Sequence, residues 1–296
     1  MASSGALSLR QTTPPFREAA SRKVRAAGLP GASGGSKDCG GGGRPDAMSR
    51  QSTVGRRRVA VYGGAFDPIT NAHLTAASEI VHSGSADEVW MVPCGKRPDK
   101  PKLKTSPLDR YVMCQIAVNA AFAPDFPIRV SDIECFEPEA LYTYDLLCKL
   151  RETYPDTTFT FVVGTDWLQP NTNIMTWESR NFSWRPGDPP EKRLIVTGDK
   201  LLREFDFLVV FRPGHHVWKV PGDPTGLLRF GPRLRWLTMP DGMMFIEGNL
   251  SSTEIRKRLE QSASLRQLGA NSLRGIDGLV PVGVLSYIER QALYLP

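Results

Sequence analysis

The chain has 296 residues, 41% hydrophobic and 23% charged, which is the composition of an ordinary globular protein with enough apolar side chains for a substantial core. Its net charge of +6 is unevenly placed: residues 1–58 hold 11 of the 37 basic and 3 of the 31 acidic side chains, leaving 26 basic against 28 acidic in the remainder. The core is therefore not basic and no apolar run is long enough to span a bilayer, so neither a nucleic-acid nor a membrane partner is expected.

Residues 1–57 are rich in Ala, Ser, Gly and Arg and poor in acids, with the glycine pair Gly34-Gly35 and the run Gly40-Gly41-Gly42-Gly43. Such a segment cannot bury enough surface to offset its ordering entropy and reads as a disordered basic extension. Its Arg- and Ser-rich, acid-poor character also fits a transit peptide for a plastid or mitochondrion, the alternative being an extension without an address on a cytoplasmic protein. Cys39, Cys94, Cys114, Cys135 and Cys148 form no CxxC pair and no metal-like spacing with the four histidines. Reduced thiols in an intracellular compartment are expected, and no protein-held metal.

From Arg58 onward the apolar pattern becomes regular. Residues 59–62 are a β-rich run ending at Gly63-Gly64, and 73–81 read as a helix with Leu74, Ala77, Ile80 and Val81 on one face. A strand over 88–92 is closed by Pro93. A helix over 108–121 presents Leu108, Val112, Ile116 and Ala120 at four-residue intervals. Then come a strand over 128–133, a helix over 143–152, a strand over 158–163, a strand over 205–211, and helices over 253–261 and 282–291. The Pro/Gly-rich stretches 179–199 and 213–242 read as excursions from the sheet. Strands alternating with helices predict a single α/β domain over 58–296, built on a doubly wound parallel sheet. Ligands of such sheets sit at the carboxyl ends of the strands.

Two strings carry chemistry. In Gly63-Gly64-Ala65-Phe66-Asp67-Pro68-Ile69-Thr70-Asn71-Ala72-His73 a glycine turn follows the first strand and a helix follows closely. Glycines let backbone amides approach a phosphate, Thr70 and His73 lie one helical turn apart, and the helix N-terminus favours anions. In Ser251-Ser252-Thr253-Glu254-Ile255-Arg256, hydroxyls and free amides open a second helix, with Arg256 one turn on. By itself that string is also an ordinary N-cap. No P-loop and no dinucleotide fingerprint occurs.

The first string resembles the GxFxPxTxxH signature of the nicotinate- and nicotinamide-mononucleotide adenylyltransferases, members of the HxGH nucleotidyltransferase superfamily. His73 stands where that family's histidine contacts the α-phosphate of ATP, Thr70 replaces the first histidine, and Ala72 replaces a glycine. The second string is similar to the ISSTxxR signature that holds the β- and γ-phosphates, with Leu250 for the leading Ile. Intermediate segments align in order. Residues 92–100 resemble the IPxxxPPHK loop, keeping Lys100 but carrying Asp99 for His; residues 141–147 resemble SYTxDTL, with Thr143; residues 161–166 resemble FIxGxD, with Gly164 and Asp166. Thr176-Trp177 matches a TW pair, residues 209–214 resemble CRRPG, and residues 279–294 resemble the terminal LPxxVxxYI and LY pattern.

The resemblance implies a Rossmann-like fold and transfer of AMP from ATP to nicotinate or nicotinamide mononucleotide, with release of pyrophosphate. It assigns Thr70, His73 and Arg256 to catalysis, and Gly63, Gly64, Ala65, Phe66, Gly164, Asp166, Ser252, Thr253 and Arg256 to ATP. Lys100, Thr143 and Trp177 fall to the mononucleotide, and Mg²⁺ is carried mainly by ATP. From the residues alone Asp166 is equally a loop carboxylate and Trp177 equally a core residue, while Lys96, Lys100 and Arg110 read as solvated charges that only the phosphate chemistry raises. The same cradle would serve a sister enzyme with another phosphorylated acceptor, or a silent nucleotide-binding module. A homo-oligomer is compatible with the sequence. The insertion after Trp177, up to residue 205, is longer than in the bacterial pattern and is expected to reshape the pyridine pocket.

Overall fold

The computed structural model describes residues 55–294 apart from positions 99, 102, 104, 218, 220, 247, 249 and 267–271. The expected extension, up to residue 54 and including Cys39, lies outside the described residues, as does Asp99.

Six strands make the main sheet: β1 (Arg57–Gly64), β2 (Glu88–Pro93), β3 (Ile128–Val130), β4 (Thr157–Gly164), β5 (Asp206–Val210) and β6 (Leu234–Trp236). All neighbours pair in parallel, in the order β6-β5-β4-β1-β2-β3. The direction of winding reverses between β1 and β4, and that is where a doubly wound sheet opens a crevice for ligands. Among the described residues six α-helices cover the sheet: α1 (Asn71–His82), α2 (Pro107–Ala121), α3 (Thr143–Thr153), α4 (Gly198–Glu204), α5 (Ser252–Arg266) and α6 (Val282–Arg290).

Side chains alternate across the sheet, as the period of two demands. Val59, Val61, Trp90, Phe159, Phe161, Phe207 and Val209 pack on one face with Leu146, Leu147 and Leu150 of α3 and Leu201 and Leu202 of α4. Ala60, Val89, Met91, Val162 and Leu208 pack on the other with residues of α1, α2, α5 and α6. Both faces are thus covered, which is why these strands read as near-continuous apolar runs.

Helix starts follow local chemistry. Ser106 caps α2 by accepting the Asp109 amide at 3.0 Å, with Pro107 in the first turn, where its missing N–H costs nothing. The buried face of α2 differs from the expected stripe: Arg110, Met113, Cys114, Ala117 and Val118 are buried, whereas Leu108 is 49% exposed and Ala120 is exposed. A strict four-residue row drifts by about 40° per step and wraps off any single face. Strand β3 stops at Val130, short of the expected 133, because it is an edge strand paired only to β2.

Neither excursion is featureless. In the first, Glu178–Arg180 and Leu194–Val196 form an antiparallel hairpin, followed by α4. The second supplies β6, the far edge of the main sheet, whose three residues around exposed Arg235 are too few to carry a pattern. A smaller ladder pairs Leu168–Gln169 with Thr172–Asn173. Among the described residues no helix is long and apolar enough to cross a membrane.

Candidate active site

A cleft of about 1090 Å³ opens at the carboxyl ends of β1 and β4. Gly63 and Gly64, the last residues of β1, line it with Ala65 and Phe66, and Gly164 ends β4 on the other side of the reversal. Phe66 holds a left-handed backbone (φ +46°), unusual for a bulky residue and of the kind stored at functional loops. Its ring stands edge-on to His73 at 5.1 Å and to Tyr62 at 5.6 Å.

Thr70 and His73 do not share a face toward the ligand. Thr70 is the N-cap of α1, fully buried and not part of the cleft lining. Its amide donates to Nδ1 of His73 at 3.0 Å, and its hydroxyl lies 2.9 Å from the same nitrogen. A backbone N–H can only donate, so Nδ1 is unprotonated and Nε2 carries the proton. Burial, and then the charge of Arg212, lower the His73 pKa to about 4. The ring that lines the cleft is therefore neutral and offers a fixed N–H donor. Thr70 sets that tautomer and does not itself reach into the cleft.

The second string docks onto the first. Ser252 donates from Oγ to the Pro68 carbonyl at 2.8 Å, and Arg256 donates from Nη1 to the Asp67 carbonyl at 2.5 Å and from Nη2 to Thr253 Oγ1 at 3.1 Å. Ser252, Thr253 and Arg256 all line the cleft. The first amides of α5 have no acceptor within the helix, so this end suits phosphate oxygens. Ala72, which stands where the family pattern has glycine, is accommodated by Gly248: a side chain there would come within 2.7 Å of the Ala72 Cβ.

At the β4 end, Asp166 accepts from Arg212 Nη1 at 2.9 Å through Oδ2, while Oδ1 is buried with no partner among the described residues. A side chain at Gly164 would run into Asp166 and approach Arg212 Cδ to 2.8 Å, so glycine is what lets the pair fold over the strand end. Lys100 and Thr143, the first residue of α3, also line the cleft, as does half-buried Trp177. The Trp177 indole stands edge-on to Trp167 at 5.0 Å, and its Nε1 is buried with no partner among the described residues. The hairpin after it contributes Glu178 and Leu194 to the lining, so the insertion does reach the pocket.

Other residues join that motif reading did not single out. Arg212 follows β5, and its position at a strand's carboxyl end was the available signal. Glu134 is buried in the wall, accepts the Gly95 amide at 3.0 Å, and has its pKa raised to about 7 by burial, against the opposing pull of that amide, Arg97 and Arg110. Nothing in the sequence marks it. Arg110 is not a solvated charge: it is 1% exposed and donates to the carbonyls of Ala65 (2.8 Å) and Gly95 (3.0 Å), tying the first string to the basic loop.

A sheet reversal with a neutral histidine donor, two helix starts and converging arginines defines a nucleotidyltransferase site. In agreement, the family model described as cytidylyltransferase-like matches residues 61–258. The chain is 32% identical over 250 residues to the probable nicotinate-nucleotide adenylyltransferase of Corynebacterium kroppenstedtii, covering 83% of this chain and 95% of that one. It is also 32% identical over 232 residues to the protein of that name from Tropheryma whipplei, covering 78% and 97%. Among solved structures it is similar to Plasmodium falciparum nicotinic acid mononucleotide adenylyltransferase complexed with NaAD, at 26% identity and a TM-score of 0.58 over 80% of this chain and 97% of that one. The chain belongs to the nicotinate-nucleotide adenylyltransferase family.

Proposed function

We propose that this protein transfers the adenylyl group of ATP to nicotinate mononucleotide, forming the deamidated dinucleotide and pyrophosphate. The observation that carries the reading is His73, held by Thr70 as a neutral Nε2–H donor at the carboxyl end of β1. A phosphate oxygen of the mononucleotide attacks the α-phosphorus, and charge grows on the transferred group as pyrophosphate departs. Catalysis of this kind rests on positioning and charge neutralisation, so no protein nucleophile is needed. His73 and the amides near Gly64 and Ala65 face the α-phosphate; Ser252, Thr253 and Arg256 take the leaving group.

Mg²⁺ fits as an ion brought by the triphosphate. Among the described residues no three metal-ligating side chains converge, and the Asp67 carboxylate within the first string is engaged by Tyr294. When bound, the ion would neutralise phosphate charge. The choice of the acid over the amide mononucleotide is supported by the names of the relatives and by the neighbour complexed with NaAD. It is tested by steady-state pyrophosphate release from ATP with nicotinate mononucleotide, nicotinamide mononucleotide and phosphopantetheine as acceptors. The first is expected to give the highest kcat/KM. Preference for the amide would overturn the acid assignment, and preference for phosphopantetheine the reaction.

A further inference from the structure

The turn after α6 reaches back into the first string. Tyr294 donates from its hydroxyl to Asp67 Oδ1 at 2.6 Å. Asp67 is 1% exposed and lies in the cleft wall, a buried carboxylate beside the place where a polyphosphate is read to sit. An anion there has to be partnered, or it repels the substrate. Its other neighbour is Arg256, whose Nη1 stands 3.8 Å from Oδ2, beyond hydrogen-bond reach, and donates to the Asp67 carbonyl oxygen at 2.5 Å. The short bond to the carboxylate is thus the tyrosine's, and the guanidinium is not locked onto the carboxylate as a bidentate fork.

The turn is built for this contact. Ala292 and Tyr294 both take left-handed backbone, at φ +52° and +60°, which residues with side chains rarely adopt. Hydrogen bonds from Ala292 N to Glu289 O (3.2 Å) and from Leu293 N to Ile288 O (3.0 Å) hold it. Burial and the Asp67 charge push the Tyr294 pKa far up, so the hydroxyl remains a donor. The loop before α6 grips the other end of the string: Asn71 donates from its amide to Leu279 O at 3.1 Å and from Nδ2 to Gly278 O at 2.9 Å. Residues 278–294 therefore brace the string on both sides of Pro68.

We propose that Tyr294 is a positioning residue: by satisfying the Asp67 carboxylate it leaves the Arg256 guanidinium available to the polyphosphate. Without that hydroxyl, Arg256, the cation 3.8 Å from the buried carboxylate, closes on it as a fork. The inference rests on the ATP reading above, and a turnover-free probe separates the two. In the full chain, Tyr294→Phe is expected to raise the ATP KM about tenfold while the mononucleotide KM moves less than about twofold, and to weaken calorimetric binding of inorganic pyrophosphate about tenfold. Adding Asp67→Asn removes the charge that draws Arg256 away, so Tyr294→Phe/Asp67→Asn should match Asp67→Asn alone in both measurements. That comparison also decides the matter if the single tyrosine variant does not fold. Unchanged pyrophosphate binding in Tyr294→Phe, equal rises in both KM values, or a tenfold difference between the double variant and Asp67→Asn would each overturn the proposal. Wild-type protein that binds pyrophosphate but does not turn over ATP would instead overturn the ATP reading.

Discussion

In the proposed reaction His73 works through a proton it does not exchange. With its pKa near 4 and Nδ1 taken by the Thr70 amide, the ring stays a neutral donor at physiological pH. His73→Ala is expected to lower kcat by roughly two to three orders of magnitude, the usual loss of one such donor, with the fold intact. A variant retaining half of wild-type kcat would remove His73 from the reaction. The same burial has a signature in stability. His73 is held neutral below its ordinary value of 6.5, so the unfolded chain binds the extra proton between pH 6.5 and about 4, and stability falls as pH drops through that window. Glu134 has the opposite sign: raised from 4.5 to about 7, it keeps its proton in the folded state, so stability falls as pH rises from 4.5 to 7. The two slopes oppose each other between pH 4.5 and 6.5. Thermal melts of Glu134→Gln should show stability rising with pH there, and melts of His73→Ala should show it falling. Parallel curves for both variants and the wild type would contradict both shifts. Neither slope was legible in the sequence: a lone histidine announces a donor, but burial and the Arg212 charge come from three strands meeting at one end of the sheet.

At the scale of elements, the longer helices and strands were readable, though not α4, because both faces of the sheet are covered and their apolar residues must follow a period. What escaped was short or set by neighbours. The buried face of α2 turns toward Met113 and Ala117, not Leu108, and β6 is a three-residue edge. The insertion after Trp177 divides in two. Its base touches the cleft through Glu178 and Leu194, whereas the turn between the hairpin strands contributes no lining residue and leaves Phe182 70% exposed. Replacing residues 182–192 by Asn-Gly, a pair suited to a tight hairpin turn between Asn181 and Arg193, should therefore leave both substrate KM values within about twofold. Trp177, at the base, lines the cleft and in the proposed reaction serves the mononucleotide, so Trp177→Ala should raise the mononucleotide KM about tenfold and spare ATP. Equal losses for both substrates with a large drop in melting temperature would instead make Trp177 a packing residue only.

At the scale of the whole molecule, the first element among the described residues begins at Arg57, and every residue lining the cleft lies beyond it. Deleting residues 1–47 is accordingly expected to leave kcat, both KM values and the melting temperature unchanged. If those residues carry an address, a reporter joined to residues 1–57 should enter a plastid or mitochondrion, and a diffuse reporter in such a host would exclude one. The sequence by itself determined the class of fold, the order of its longer elements and the two strings that meet at the cleft, because periodicity, glycine turns and hydroxyl-capped helix starts are local properties of the chain. Only the tertiary structure decided that Thr70 is buried behind His73 with its amide on Nδ1, that Arg110 is a buried tie, that Arg212 and Glu134 belong to the cleft, and that Tyr294 reaches Asp67. Those roles depend on which groups become neighbours when distant segments close on the sheet, and on how far burial strips water from them. No spacing along the chain encodes either.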